Sequence, residues 1–126
     1  LKTAVIGVGH LGRQHARIHA ALAAEERARF VAVCDLDEDS ARSVARERAV
    51  DWTTDWRQLI GRVDAVSLAV PTEAHCEIAA PLLEAGIHVL VEKPIARTLE
   101  EADRMIAAAE RGRSLLQVGH LERFNP

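Results

Sequence analysis

Three glycines, Gly7, Gly9 and Gly12, stand at the spacing of a turn that can wrap a phosphate. In such a turn the first glycine permits the tight bend and the second lets the backbone approach a pyrophosphate. The third lets the following helix pack close on a sheet. Thr3-Ala4-Val5-Ile6 before the turn reads as a buried strand, and the chain from His10 onward reads as a helix. That is the context the mechanism requires: the helix dipole and the amides around His10 and Leu11 meet the phosphate charge. A glycine-rich strand–helix turn without a ligand is the competing reading. Asp35 lies 23 residues beyond Gly12, at the end of a second apolar run. A carboxylate there accepts from both hydroxyls of an adenosine ribose and repels a 2′-phosphate, which favours NAD over NADP. The alternative is that Asp35 caps the next helix, a task for which Asp37 and Asp39 compete.

Two further strand ends carry candidate chemistry. At Val70-Pro71-Thr72 a strand ends, Pro71 turns the chain and Thr72 offers a helix cap. His75 shares a helical stripe with Ala79 and Leu82, so it points inward near the cleft, as a packed structural histidine or as a ligand contact. Glu92-Lys93-Pro94 follows a fifth apolar run. A lysine placed there, shielded over the nicotinamide end of a cofactor, can accept or donate a proton. An ordinary surface lysine at a loop start is the alternative. His15 and His19 are four apart on a helix, but the residues between them lack the glutamate of the metalloprotease motif. His15 reads as a packed residue between helix and sheet, and hydride transfer to a nicotinamide calls for no metal.

The elements that must position these groups alternate regularly. Strands are predicted at 3–6, 30–34, 50–52, 65–70, 87–91 and 115–118. Helices are predicted at His10 to Ala24, at Asp37 to Arg48, from an Asp55 cap to Ile60, and at Thr72 to Ala85 before Gly86. A last helix runs from a Thr98–Glu101 capping box to about Gly112. Leu11, His15, Ile18 and Leu22 form the expected inner stripe of the first helix. Leu99, Ala102, Ile106 and Ala109 form that of the last. Pro81 falls inside the Thr72–Ala85 pattern, where the helix must bend or start afresh. Continuous apolar strands alternating with helices define an α/β fold: a doubly wound parallel sheet of the Rossmann type, with helices on both faces. Ligands of such sheets lie beyond the carboxyl ends of the strands, where all the groups above fall.

Composition removes other classes. The chain has 126 residues, a formal net charge of -3, 48% apolar residues and 3% aromatic ones. That is one domain with a core of small aliphatic side chains, and no basic footprint for nucleic acid. Two distant cysteines, Cys34 and Cys76, give no disulfide framework and read as thiols in a reducing cytoplasm. No apolar run approaches a membrane span. The chain opens without Met and stops at Asn125-Pro126, the pattern expected of a fragment of a longer protein.

Taken together, Gly7 to His15, Val33-Cys34-Asp35, Val70 to His75 and Gly86 to Pro94 resemble the Gfo/Idh/MocA family of oxidoreductases, in order and over essentially the whole chain. The resemblance implies a Rossmann domain over residues 1–119. Residues 120–126 then begin the connection to a C-terminal substrate domain that is missing here. It implies that Lys93 is the catalytic lysine, and that Glu92 and the peptide before Pro94, typically cis in relatives, shape the nicotinamide pocket. The remaining catalytic groups and often the homo-oligomer interface belong to the second domain. Val118 to Pro126 is similar to members that oxidise UDP-linked N-acetylamino sugars at the 3-hydroxyl, and would bring Gln117 and His120 near the nicotinamide. The expected activity is hydride transfer from a sugar secondary alcohol to NAD. The alternative is a module of the same fold that senses NAD(P) or regulates without catalysis.

Overall fold

The computed structural model describes residues 1–119. Six parallel strands order as β3-β2-β1-β4-β5-β6. They are β1 (Lys2–Ile6), β2 (Arg29–Cys34), β3 (Asp51–Thr53), β4 (Ala65–Leu68), β5 (His88–Glu92) and β6 (Leu116–Gly119). The order reverses between β1 and β4, which pair directly from Thr3 opposite Ala65 to Ile6 opposite Leu68. A cleft therefore opens beyond their carboxyl ends.

Strand alternation sorts the core into two layers. Ala4, Ile6, Val66, Leu68, Val89 and Val91 face α3 (His75–Glu84) and α4 (Leu99–Gly112), packing on Leu82, Leu83 and Met105. Val5 and Val33 face the opposite way, under α1 (His10–Ala24) and α2 (Glu38–Arg48), against Ala16, Val44 and Ala45. Among the described residues no helix is long and apolar enough to cross a membrane.

Two inner stripes differ from expectation. On α1 the buried residues are Gly12, His15 and Ala16, while Leu11 and Ile18 are 39% and 46% exposed. On α4 they are Met105, Ala108 and Ala109, while Leu99 and Ile106 lie outside. The reason is close approach. A Cβ on Gly12 would fall 1.7 Å from the Gly7 carbonyl oxygen, and one on Gly112 would fall 1.8 Å from that of Leu83. Small residues set which face touches the neighbour, and the larger aliphatic residues rotate outward.

The Thr72–Ala85 helix is split. Thr72 to Ala74 form a 3-10 turn, closed by the Ala74 amide donating to Pro71 O at 2.9 Å, and α3 begins at His75. Thr72 thus starts a turn and caps no α-helix. Pro81 neither ends nor restarts α3, which runs through it. The short helix expected after Asp55 is also a 3-10 turn, Trp56–Leu59, with the Asp55 carboxylate accepting from the Arg57 amide at 3.0 Å. Gly86 ends α3 at φ +85°, with its amide on Leu83 O and that of Ile87 on Leu82 O. The Thr98 hydroxyl accepts from the Glu101 amide, but the Glu101 carboxylate turns to Arg97 instead of back to the cap.

Candidate functional site

Each glycine of the turn after β1 has its own surroundings. Gly7 adopts φ +89°, its amide donates to Cys34 O at 2.7 Å, and a Cβ on it would lie 2.6 Å from Ala69 O. Gly12 is pressed against Gly7, as described above. Gly9 differs: a Cβ there would meet no atom within 4 Å. Gly9 is the N-cap of α1, and no side chain caps that end and no acidic residue lies in its first turn. The first amides of α1 therefore face outward beside a positive helix pole, an arrangement that suits an anion. His10 and Leu11 are exposed in this first turn.

A cleft of about 610 Å³ spreads from this turn across the carboxyl ends of β1, β2 and β4. It joins Gly7, Gly9, Asp35, Val70 and Pro71 of the expected site, and it adds residues that sequence reasoning missed: Leu36, Thr54, Trp56, Arg57 and Ile78. Trp56 and Arg57 stand together, with the guanidinium carbon 4.5 Å from the indole centroid and Nη1 3.2 Å from Asp55. Their signal in the sequence is positional, since they follow β3 as Asp35 follows β2. A four-residue 3-10 turn has no periodicity to announce it.

Asp35 is half-buried at the end of β2. One carboxylate oxygen accepts from the Val8 amide and the other from the Asp37 amide, each at 2.8 Å. The group thus braces both the glycine turn and the entry to α2, while Asp37 itself is the N-cap of α2. Behind it, burial pushes the Cys34 thiol up to about 12, with the Asp35 and Asp55 charges adding to the effect. Cys34 therefore presents a neutral wall. Cys34 and Cys76 are both free and buried.

The loops after β4 and β5 meet at His75, which is 1% exposed. Its Nε2 lies 2.9 Å from Val70 O, and its Nδ1 lies 3.1 Å from Pro94 O and 3.2 Å from Ile95 O. The ring's polar atoms are thus occupied by backbone of the two loops. The Lys93–Pro94 peptide is cis. Glu92 is buried against His15, whereas Lys93, which follows the last residue of β5 on the rim of the sheet, is exposed in this chain. Glu92, Lys93 and Pro94 do not line the cleft described above. Gln117 is exposed within β6, opposite Leu90 and two residues short of the strand's end. His120 lies outside the described residues. Among those residues no three His, Cys, Asp or Glu side chains group as a metal site.

A doubly wound parallel sheet with a three-glycine turn after β1 and a carboxylate after β2 defines a Rossmann domain of the dinucleotide-binding kind. The chain belongs to the Gfo/Idh/MocA oxidoreductase family, described as having an NAD-binding Rossmann fold, and matches it over residues 1–120. It is 38% identical over its full length to a UDP-N-acetylglucosamine 3-dehydrogenase from Acidithiobacillus ferrooxidans. The solved structure of that protein superposes with a TM-score of 0.91, covering 99% of this chain and 40% of that one. An inositol 2-dehydrogenase from Saccharopolyspora erythraea is 39% identical over 131 residues, which cover 100% of this chain and 38% of that protein. The WlbA dehydrogenase from Bordetella pertussis, solved in complex with NADH and UDP-GlcNAcA, is 25% identical with a TM-score of 0.89 and covers 98% of this chain and 38% of its own. The chain thus spans about two fifths of the length of these relatives.

Proposed function

We propose that this chain binds NAD and forms the cofactor half of a dehydrogenase that oxidises a secondary alcohol of a sugar. One observation carries the reading: a single cleft joins the open backbone at Gly9 to the Asp35 carboxylate, and β5, the next strand beyond β4, leads directly into Lys93. The residues present fit the cofactor. The space above Gly9 and the uncapped amides of α1 suit the pyrophosphate, and Asp35 has lone pairs left for ribose hydroxyls after accepting two amides. When bound, NAD supplies the hydride acceptor for the alcohol carbon. Lys93 takes the hydroxyl proton of that alcohol at Nζ, and the loop tied by His75 holds Lys93 at the rim where the substrate must enter.

The substrate class rests on the relatives, which include a UDP-N-acetylglucosamine 3-dehydrogenase and inositol 2-dehydrogenases. A sugar or nucleotide-sugar hydroxyl, in the first case the 3-hydroxyl of a UDP-N-acetylhexosamine, is the chemistry they share with this reading. Residues 1–119 form the cofactor domain, and the groups that grip the sugar and the homo-oligomer contacts come from a second domain joined through residues 120–126. Free, buried Cys34 and Cys76 suit a reducing cytoplasm. The experiment is K93A in the complete protein, assayed by NADH absorbance with a panel of UDP-sugars and inositols. Turnover should fall at least about 100-fold with NAD affinity nearly intact. Unchanged turnover would remove Lys93 from the chemistry, and a complete protein that binds NAD and oxidises nothing would leave a sensing module as the better reading.

A further inference from the structure

Glu92 is the last residue of β5, and strand alternation turns it to the α1 face while Val91 enters the core under α3 and α4. Its side chain is 11% exposed, as is that of His15 in the second turn of α1, and His15 Nε2 lies 2.5 Å from Glu92 Oε1. An ionised carboxylate only accepts, so the tautomer that satisfies Glu92 is the one in which His15 donates from Nε2. Gly119 pairs with Glu92 from β6, and a Cβ there would come 3.3 Å from both carboxylate oxygens. Three elements distant in sequence therefore make room for one buried carboxylate and its partner. Elsewhere on this face the sheet buries Val5 and Val33, which cost nothing, and the neutral hydroxyls of Thr3 and Ser67, which His19 holds. A carboxylate in such a place is expensive unless it is held.

The position explains the expense. α1 carries the amides that face the cleft, and the residue after Glu92 is Lys93. We propose that His15 is a positioning residue for the reaction: through Glu92 it fixes the end of β5, and with it Lys93, relative to the phosphate-binding helix. This rests on the reading of Lys93 given above. A misplacement of about 1 Å at a reacting group can cost about 100-fold in rate, so one bond at this junction has leverage.

The test is kinetic and uses the complete protein. H15L and E92A are each expected to lower kcat by about 10- to 100-fold, while the Kd for NAD stays within about threefold. H15Q, which keeps an N–H near Nε2, should recover most of the loss, and the double variant H15L/E92A should be no slower than the slower single one. H15L with full turnover overturns the proposal. So does an NAD affinity that falls as far as kcat, which marks a packing defect of α1, or an H15Q no better than H15L. Should H15L not fold, H15N, whose amide stops short of Glu92, takes its place under the same outcomes. K93A in the same series separates the two ideas. An active K93A removes both, and an inactive K93A beside an active H15L removes this one alone.

Discussion

The amide of Val8, inside the glycine turn, donates to the carboxylate of Asp35 at 2.8 Å. The bond joins the loop after β1 to the loop after β2, and the second oxygen of Asp35 holds the Asp37 amide at the entry to α2. The residue proposed to select the cofactor therefore also shapes the turn proposed to receive its phosphates. D35A is expected to lower folding stability by about 1.5 kcal/mol, the scale of losing hydrogen bonds to a charged acceptor. It should also weaken NAD binding about tenfold and bring the affinities for NAD and NADP closer together. Denaturant melts and paired titrations check both effects. Unaltered selectivity would reduce Asp35 to a brace.

Trp56 lines the cleft with Arg57 against its ring, whereas the only other tryptophan in the chain, Trp52, is 41% exposed on β3 beside Arg42. Intrinsic fluorescence excited at the indole should therefore change on NAD addition, and the change should saturate. W56F should abolish it and W52F should preserve it. A response carried by Trp52 would place the ligand elsewhere.

His19 gives a pH signature of the fold. Its Nδ1 lies 2.8 Å from Thr3 Oγ1 in β1 and its Nε2 2.8 Å from Ser67 Oγ in β4. Burial, reinforced by the neighbouring His15, lowers its pKa from 6.5 to about 4. Above pH 6.5 the ring is neutral in folded and unfolded chains, and its contribution is complete. Between 6.5 and 4 only the unfolded chain binds the proton, so stability falls by up to about 1.4 kcal/mol per pH unit, and the loss levels off below 4. The thermal midpoint of the wild-type chain should drop across this window more steeply than that of H19Q. Parallel curves would remove His19 from the account.

The sequence made the strands and the turn legible because both rest on strong local signals: continuous apolar runs such as Phe30 to Cys34, and glycines that only one backbone shape requires. The α1 bounds are as expected for the same reason. The inner stripes were only partly legible from hydrophobicity: His15 and Ala109 are buried as expected, the larger aliphatic residues are not. Gly12, Ala16 and Ala108 carry little apolar area, yet they decide which helix face can approach the sheet or a neighbouring helix. Leu11 and Ile106, the expected inward residues, are exposed as a result. In the site, the positions after β1 and β2 converge as expected. Trp56 and Arg57 escaped notice because their 3-10 turn has no repeating pattern. The partnership of His15 with Glu92 spans 77 residues, and no spacing rule joins them.

Binding at the glycine turn is the claim on which the rest stands, and Gly9 offers the cleanest way to test it. A Cβ there meets nothing in the protein, at an ordinary φ of -71°, so G9A should fold with stability unchanged within about 0.5 kcal/mol. The same methyl group would occupy the space above the α1 amides. Calorimetric titration of NADH and NADPH into the wild-type chain and into G9A is the direct measurement. The account predicts saturable NADH binding to the wild-type chain, weaker NADPH binding, and a folded G9A that has lost at least about tenfold in NADH affinity. Equal NADH affinity in the two chains, or no binding to either, would contradict it.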